Sequence, residues 1–177
     1  MTPGLLPRLA RAAIAREFGE LPQTPTIPAD LKRLGATFVT LTQAGKLRGC
    51  IGTLEAWRAL IDDLQSNARA AAFNDPRFAP LHAEELAHTQ VEVSVLTPPE
   101  PLHFTNEADA LAQLHPGEDG IILSDGRHRA TFLPQVWAQL PTPKVFMAHL
   151  KHKAGLPADY WSNNIKLWRY HVEKHEE

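Results

Sequence analysis

The sequence predicts an α+β protein: a mainly antiparallel sheet with helices on one side, and a smaller lobe after it. Three observations predict this. Short segments with two-residue alternation or dense β-branched content follow one another through tight turns, which suits hairpins rather than crossovers. Separate segments repeat apolar residues every three or four positions, as amphipathic helices do. A cluster of prolines at 98, 99 and 101 interrupts both patterns and marks a lobe boundary. The expected division is a larger lobe of 1–97 plus 156–177 and a smaller lobe of 102–150.

Taken in order, Leu5, Leu6, Leu9, Ala13, Ile14 and Phe18 share helical spacing that ends at Gly19. Prolines 22, 25 and 28 follow in an extended connector. Ala36 to Thr42 is β-branched and aromatic, and a turn at Gln43-Ala44-Gly45-Lys46 joins it to Leu47–Gly52 as a hairpin. A helix is expected from Ala59 to Asn74, with Trp57, Leu60, Ile61, Leu64, Ala68, Ala71 and Ala72 on its apolar face. Pro76 stops it and leaves Asp75-Pro76-Arg77-Phe78 as a shaped corner. A helical turn at Ala83–Leu86 precedes the clearest strand, Thr89–Leu96. There Val91, Val93 and Val95 face the core, while Gln90, Glu92, Ser94 and Leu96 face a cleft or solvent. Past the prolines, Asn106 caps a short helix through Leu114. Strands Gly120–Leu123 and His128–Leu133 turn at Asp125-Gly126, and Pro134 opens a helix near Val136 and Trp137. Thr142 and Pro143 start another helix, which Gly155 ends. Ile165–Val172 closes the chain as a strand.

Composition limits what the protein does. With 177 residues, 44% hydrophobic and 21% charged, the chain can bury a core without covalent staples. Net charge is −2 with no run of Lys or Arg, so the electrostatic footprint of a nucleic-acid binder is missing. One cysteine excludes an internal disulfide and a cysteine-based zinc knuckle. Arg8, Arg11, Arg16, Glu17 and Glu20 interrupt the first twenty residues, and no segment has the apolar length of a membrane span. These features read as a cytoplasmic protein without membrane attachment.

The chemistry centres on Leu47-Arg48-Gly49-Cys50-Ile51-Gly52. Strand alternation puts Arg48 and Cys50 on one face, and the glycines leave room for another group to approach. Cys50 is a candidate thiolate nucleophile if the guanidinium lowers its pKa; its bland alternative is a small core residue. Arg48 is a candidate anchor for a carboxylate or phosphate, or else a salt-bridge partner of Glu92 or Asp75. Glu92 and Ser94, polar on a core strand, need a partner or water, and Glu92 is the candidate acid/base. Nine histidines form no His-Glu-x-x-His pattern, so no metal or other cofactor is expected. Nothing matches a phosphate loop or a serine nucleophile elbow. The tryptophans at 57, 137, 161 and 168 read mostly as core.

The hexapeptide with Thr53-Leu54 resembles the signature of the AMMECR-type domain, the protein A component of bacterial AmmeMemoRadiSam systems. Later blocks are similar in the same order: Ala71 to Leu81, Glu85-Leu86, Val93 to Thr97, Gly117 to Ile122, Thr131 to Trp137 and Lys153 to Leu156. The resemblance implies two unequal lobes with a cleft near the signature strand. It names no reaction. It also implies a Memo-type protein and a radical S-adenosylmethionine enzyme as partners, and carries Arg48, Gly49, Cys50 and Gly52 as the signature with Asp75 and Arg77 beside it. Two functions remain open. One is an enzyme or enzyme-associated component acting on a small anionic molecule, with Cys50 and Glu92 in catalysis and Arg48, Gly49, Gly52, Asp75, Arg77 and Ser94 binding the ligand. The other is a non-catalytic ligand- or protein-binding module in which Cys50 is structural.

Overall fold

The computed structural model describes residues 4–177, which form two compact units. One holds the chain up to Leu96 together with Glu173–Glu177; the other is Thr97–Val172. Each unit has its own four-stranded antiparallel sheet and its own apolar core. The α+β class is therefore as the sequence predicts, with the strands shared between two sheets rather than gathered in one.

In the first unit, β1 (Ala36–Gln43), β2 (Lys46–Gly52), β3 (Gln90–Leu96) and β8 (Val172–Glu176) lie in the order β2-β1-β3-β8. Helices α1 (Leu5–Glu17) and α2 (Leu60–Phe73) pack on one face of this sheet. Leu6, Leu9 and Ile14 of α1 and Leu60, Leu64 and Ala68 of α2 meet Val39, Leu41, Val91 and Val93, all essentially inaccessible to solvent. Val91, Val93 and Val95 form the core stripe that alternation predicts. Trp57 does not join the helix face: it precedes α2, is 67% exposed, and stacks on the Arg58 guanidinium at 4.5 Å.

A wholly buried carboxylate ties α2 to the hairpin. Asp63 Oδ2 accepts the Thr37 backbone N–H and hydroxyl, both at 2.8 Å, and the Asn67 amide at 3.1 Å. Its Oδ1 accepts the Thr53 hydroxyl at 2.6 Å and Arg58 Nε at 2.8 Å. Five donors replace the water that burial removes.

In the second unit the order is β4 (Glu100–Pro101), β7 (Lys166–Tyr170), β5 (Gly120–Asp125), β6 (His128–Phe132). Helices α3 (Glu107–Ala112) and α4 (Pro143–Lys153) accompany it. Asn106 Oδ1 accepts the Asp109 N–H and caps α3 as expected, whereas Thr142 stands at the N-terminus of α4 without a side-chain capping bond. Trp137 is core and stacks on Phe146 with centroids 3.8 Å apart; Trp161 and Trp168 are half-buried. Asp119, wholly buried, accepts from the His115 N–H, Arg169 Nε and His171 Nε2.

The closing segment departs from the single strand expected over Ile165–Val172. It breaks at His171, so that β7 serves the second sheet and β8 the first. Residues 156–172 consequently group with the second unit, not the first, because β7 is hydrogen-bonded between β4 and β5.

Replacing Asp63 with Ala leaves the buried Thr37 N–H without its acceptor and the Arg58 charge without its counter-ion, while the Asn67 amide keeps Thr37 and Thr53. We expect a loss of about 3 kcal/mol of unfolding free energy, read from urea denaturation.

Candidate functional site

The signature strand β2 is an edge strand held by its hairpin. Thr40 pairs with Cys50 and Leu41 with Gly49; then the register shifts so that Thr42 pairs with Leu47. Arg48 is the extra residue of this bulge, and a bulge re-aims the side chain it carries. Across β1, Cys50, Thr40 and Glu92 form one row, and Gly52, Phe38 and Ser94 form the next. Both rows lie on the face opposite the helices, since the intervening Val39 and Val93 are core.

Both signature glycines are packing positions. A Cβ on Gly49 would stand 2.1 Å from the Ala71 carbonyl oxygen, so α2 can lie on β2 only where that atom is missing. A Cβ on Gly52 would stand 2.1 Å from Phe38 Cγ, so the Phe38 ring covers that position instead. The room that the glycines leave is therefore filled by the protein's own helix and ring.

Arg48 is not paired with Glu92 or Asp75. Its Nε and Nη2 donate to the two oxygens of Glu85 at 3.0 and 3.1 Å, and its side chain is only 14% exposed. Glu85 belongs to a 3-10 turn at Ala83–His88, and also accepts the His82 N–H and the Gln43 amide. The Arg48 guanidinium first, and then the His82 N–H, pull its carboxyl down to about 2. Sequence reasoning missed this partner because 37 residues separate the two and no local spacing links them.

Asp75 and Arg77 occupy the outer flank of β2. Asp75 Oδ2 accepts the Cys50 N–H at 3.0 Å, and Arg77 Nη2 donates to the Cys50 carbonyl at 3.4 Å. Arg77 also grips Asp75 through Nε at 3.0 Å and Nη2 at 2.7 Å. That guanidinium first, with the Cys50 and Arg77 N–H groups, holds the Asp75 carboxyl well below the usual carboxylate range. Both arginines also face one ring: the Phe78 centroid is 6.0 Å from Arg48 Cζ and 5.5 Å from Arg77 Cζ.

Cys50 is a half-buried free thiol whose Sγ lies 3.3 Å from the Thr40 hydroxyl. Among the described residues, no imidazole or carboxylate is hydrogen-bonded to the sulfur. Glu92 shares its row but stands two strands away, roughly 10 Å between backbones. Ser94 sits opposite Phe38, one row further. The structure thus brings Arg48, Cys50, Asp75 and Arg77 together, adds Thr40, Phe78 and Glu85, and leaves Glu92 and Ser94 on the same face without contact to the thiol. Among the described residues, no group of three or more His, Cys, Asp or Glu side chains could hold a metal.

A family model described as AMMECR1 matches residues 7–175. The chain is 39% identical over 173 residues to a protein of Methanothermobacter thermautotrophicus, covering 95% of this chain and 90% of that one. It is 40% identical over 134 residues to a Methanocaldococcus jannaschii protein, covering 75% and 67% respectively. The crystal structure of an uncharacterized protein from Pyrococcus horikoshii superposes with a TM-score of 0.77 at 34% identity, covering 98% of this chain and 90% of that one.

Two outcomes test the site as built. Gly49→Ala forces α2 off β2 and is expected to lower stability by about 3 kcal/mol, because the obstructing atom is backbone. The Glu85 ion pair has a depressed carboxyl pKa, so its contribution is fully present above the free value of 4.5 and disappears as pH falls toward about 2. Over that window the urea midpoint of the native protein should fall more steeply than that of Glu85→Gln; parallel curves would contradict the assignment.

Proposed function

The chain belongs to the AMMECR1 family, and from that premise we propose that it binds a small anionic molecule at Arg48 and Arg77, as an enzyme-associated component. The observation that carries this reading is the convergence of two guanidiniums on the Phe78 ring beside Cys50. Each is held rigidly along its Nε–Nη2 edge by its own carboxylate, Glu85 or Asp75, so little side-chain entropy remains to be lost on binding. The carboxylates also neutralise the pair, which favours a ligand that uses directional N–H donors over one attracted by charge alone. In this reading Cys50 is a soft contact in the wall of the site. The partners implied by the sequence resemblance, a Memo-type protein and a radical S-adenosylmethionine enzyme, are the proteins it would serve.

A second reading has one observation behind it. The Arg77 guanidinium reaches the Cys50 carbonyl at 3.4 Å, which sets a cation beside the residue that carries the thiol. It lacks a base: Thr40 is the hydroxyl at the sulfur, and Glu92 is a strand further away.

Titration with malonate and with inorganic phosphate, followed by backbone amide shifts, separates these readings. Shifts at Cys50 and Phe78 that survive Cys50→Ala but weaken about tenfold in Arg48→Lys, which keeps charge and loses the fork, support anion binding. No shift at these amides with either anion would end it. Rapid alkylation of Cys50 by iodoacetamide in the folded protein at neutral pH would instead favour the thiolate. Co-purification with the two partners should tolerate Cys50→Ala and fail or weaken in Arg48→Lys.

A further inference from the structure

One strand of the first sheet adds nothing to its core. β8 pairs with β3 at the edge of that sheet, yet the chain reaches it directly from β7 of the second sheet, with only His171 between. No residue from Val172 to Glu177 is buried; Val172 and His175 are half-buried and the other four are exposed. Val39, Leu41, Val91 and Val93 of the neighbouring strands are by contrast closed to solvent. A strand with so few buried apolar contacts belongs to the low end of local stability.

Beyond its ladder, β8 is held by a carboxylate. Arg11 Nε and Nη2 donate to the two oxygens of Glu177 at 2.8 and 2.7 Å, and the Val91 N–H donates to Oε1 at 2.9 Å. The socket for this carboxylate is built without β8. Arg11 comes from α1, and its guanidinium is fixed by the Leu86 carbonyl, 2.8 Å from Nη1, and by the Thr89 carbonyl on Nη2. A planar fork with its rotamer already set, beside an outward strand N–H, recognises a carboxylate on an extended chain. The first unit thus presents a strand edge with a carboxylate socket next to it, both filled by residues 172–177.

We propose that β8 is a releasable strand, and that its departure opens the edge of β3 to an extended segment of a partner protein with a carboxylate where Glu177 sits. Strand addition supplies backbone hydrogen bonds whatever the sequence, and the Arg11 socket selects the acidic residue. The resident strand shows which chemistry the socket accepts, and the positive fork makes an acidic segment, rather than a basic one, its occupant. Because β8 is tethered, it competes at an effective concentration of order millimolar. The partner therefore gains access when the latch on Arg11 is weakened or when its own affinity is high. None of these residues belongs to the anion site at Arg48 and Arg77, so either inference can fail without the other.

Amide exchange of the full chain tests the release. The β8 amides should exchange through a local opening, indifferent to low urea, about a hundredfold or more faster than those of Val39 and Leu41. Glu177→Gln should quicken β8 about tenfold further and leave Val39 and Leu41 unchanged. Exchange of β8 only with global unfolding, or no response to Glu177→Gln, would overturn the proposal. Occupancy is read by adding the acetylated peptide of residues 172–177 to the Glu177→Gln chain. Expected are saturable shifts at the amides from Val91 to Leu96, and binding about tenfold weaker when the peptide itself carries Glu177→Gln. The native chain, with its own strand latched, should bind the peptide more weakly than the Glu177→Gln chain. Absent shifts along β3, equal affinity for the two peptides, or self-association of the Glu177→Gln chain in sedimentation would each overturn the acidic partner segment as occupant.

Discussion

The close approach of α2 to β2 is the constraint on which the first unit depends. With glycine at position 49, the Ala71 carbonyl can sit where a side chain would otherwise stand, and the alanines at 68, 71 and 72 let the helix axis follow the strand. That placement fixes where α2 ends. Asn74 takes the last helical bond, and Asp75 is delivered directly to the flank of β2 opposite Cys50. Arg77 and Phe78 follow two and three residues later, so the helix–strand contact also positions the aromatic ring that both guanidiniums face.

Buried and half-buried carboxylates share one strategy in both units. Asp63, Asp75, Glu85 and Asp119 each accept from several donors, including at least one backbone N–H and one guanidinium. Removing a carboxylate from water is costly, and the cost is offset only when its lone pairs find partners. Each of these residues joins segments far apart in sequence, so the polar network specifies tertiary arrangement more than it adds net stability.

Local pattern made most elements legible. The 3.6-residue spacing of α1, the Val91-Val93-Val95 alternation and the turn ahead of β2 are properties of contiguous residues, and the structure realises them. What the sequence concealed depends on distant pairing. Arg48 could be seen as a cation needing a partner, but Glu85 could not be chosen over Glu92 or Asp75 without the bulge that turns Arg48 aside. The two glycines read as open space, yet the neighbours that fill it, Ala71 and Phe38, are set by packing. The split of the closing strand at His171 was invisible because apolar alternation runs through it, and only hydrogen-bond geometry shows that its halves join different sheets.

The Asp75–Arg77 pair on the flank of β2 has a consequence for behaviour in a crowded solution. An edge strand with a free N–H and carbonyl is a template on which another chain can add itself, the first step of edge-to-edge aggregation. At Cys50 both groups are already engaged by a side chain of each sign, and the bulge at Arg48 bends the strand beside them. An intruding strand would have to evict an ion pair before gaining its first hydrogen bond. The same two residues that frame the thiol thus guard the sheet against self-association.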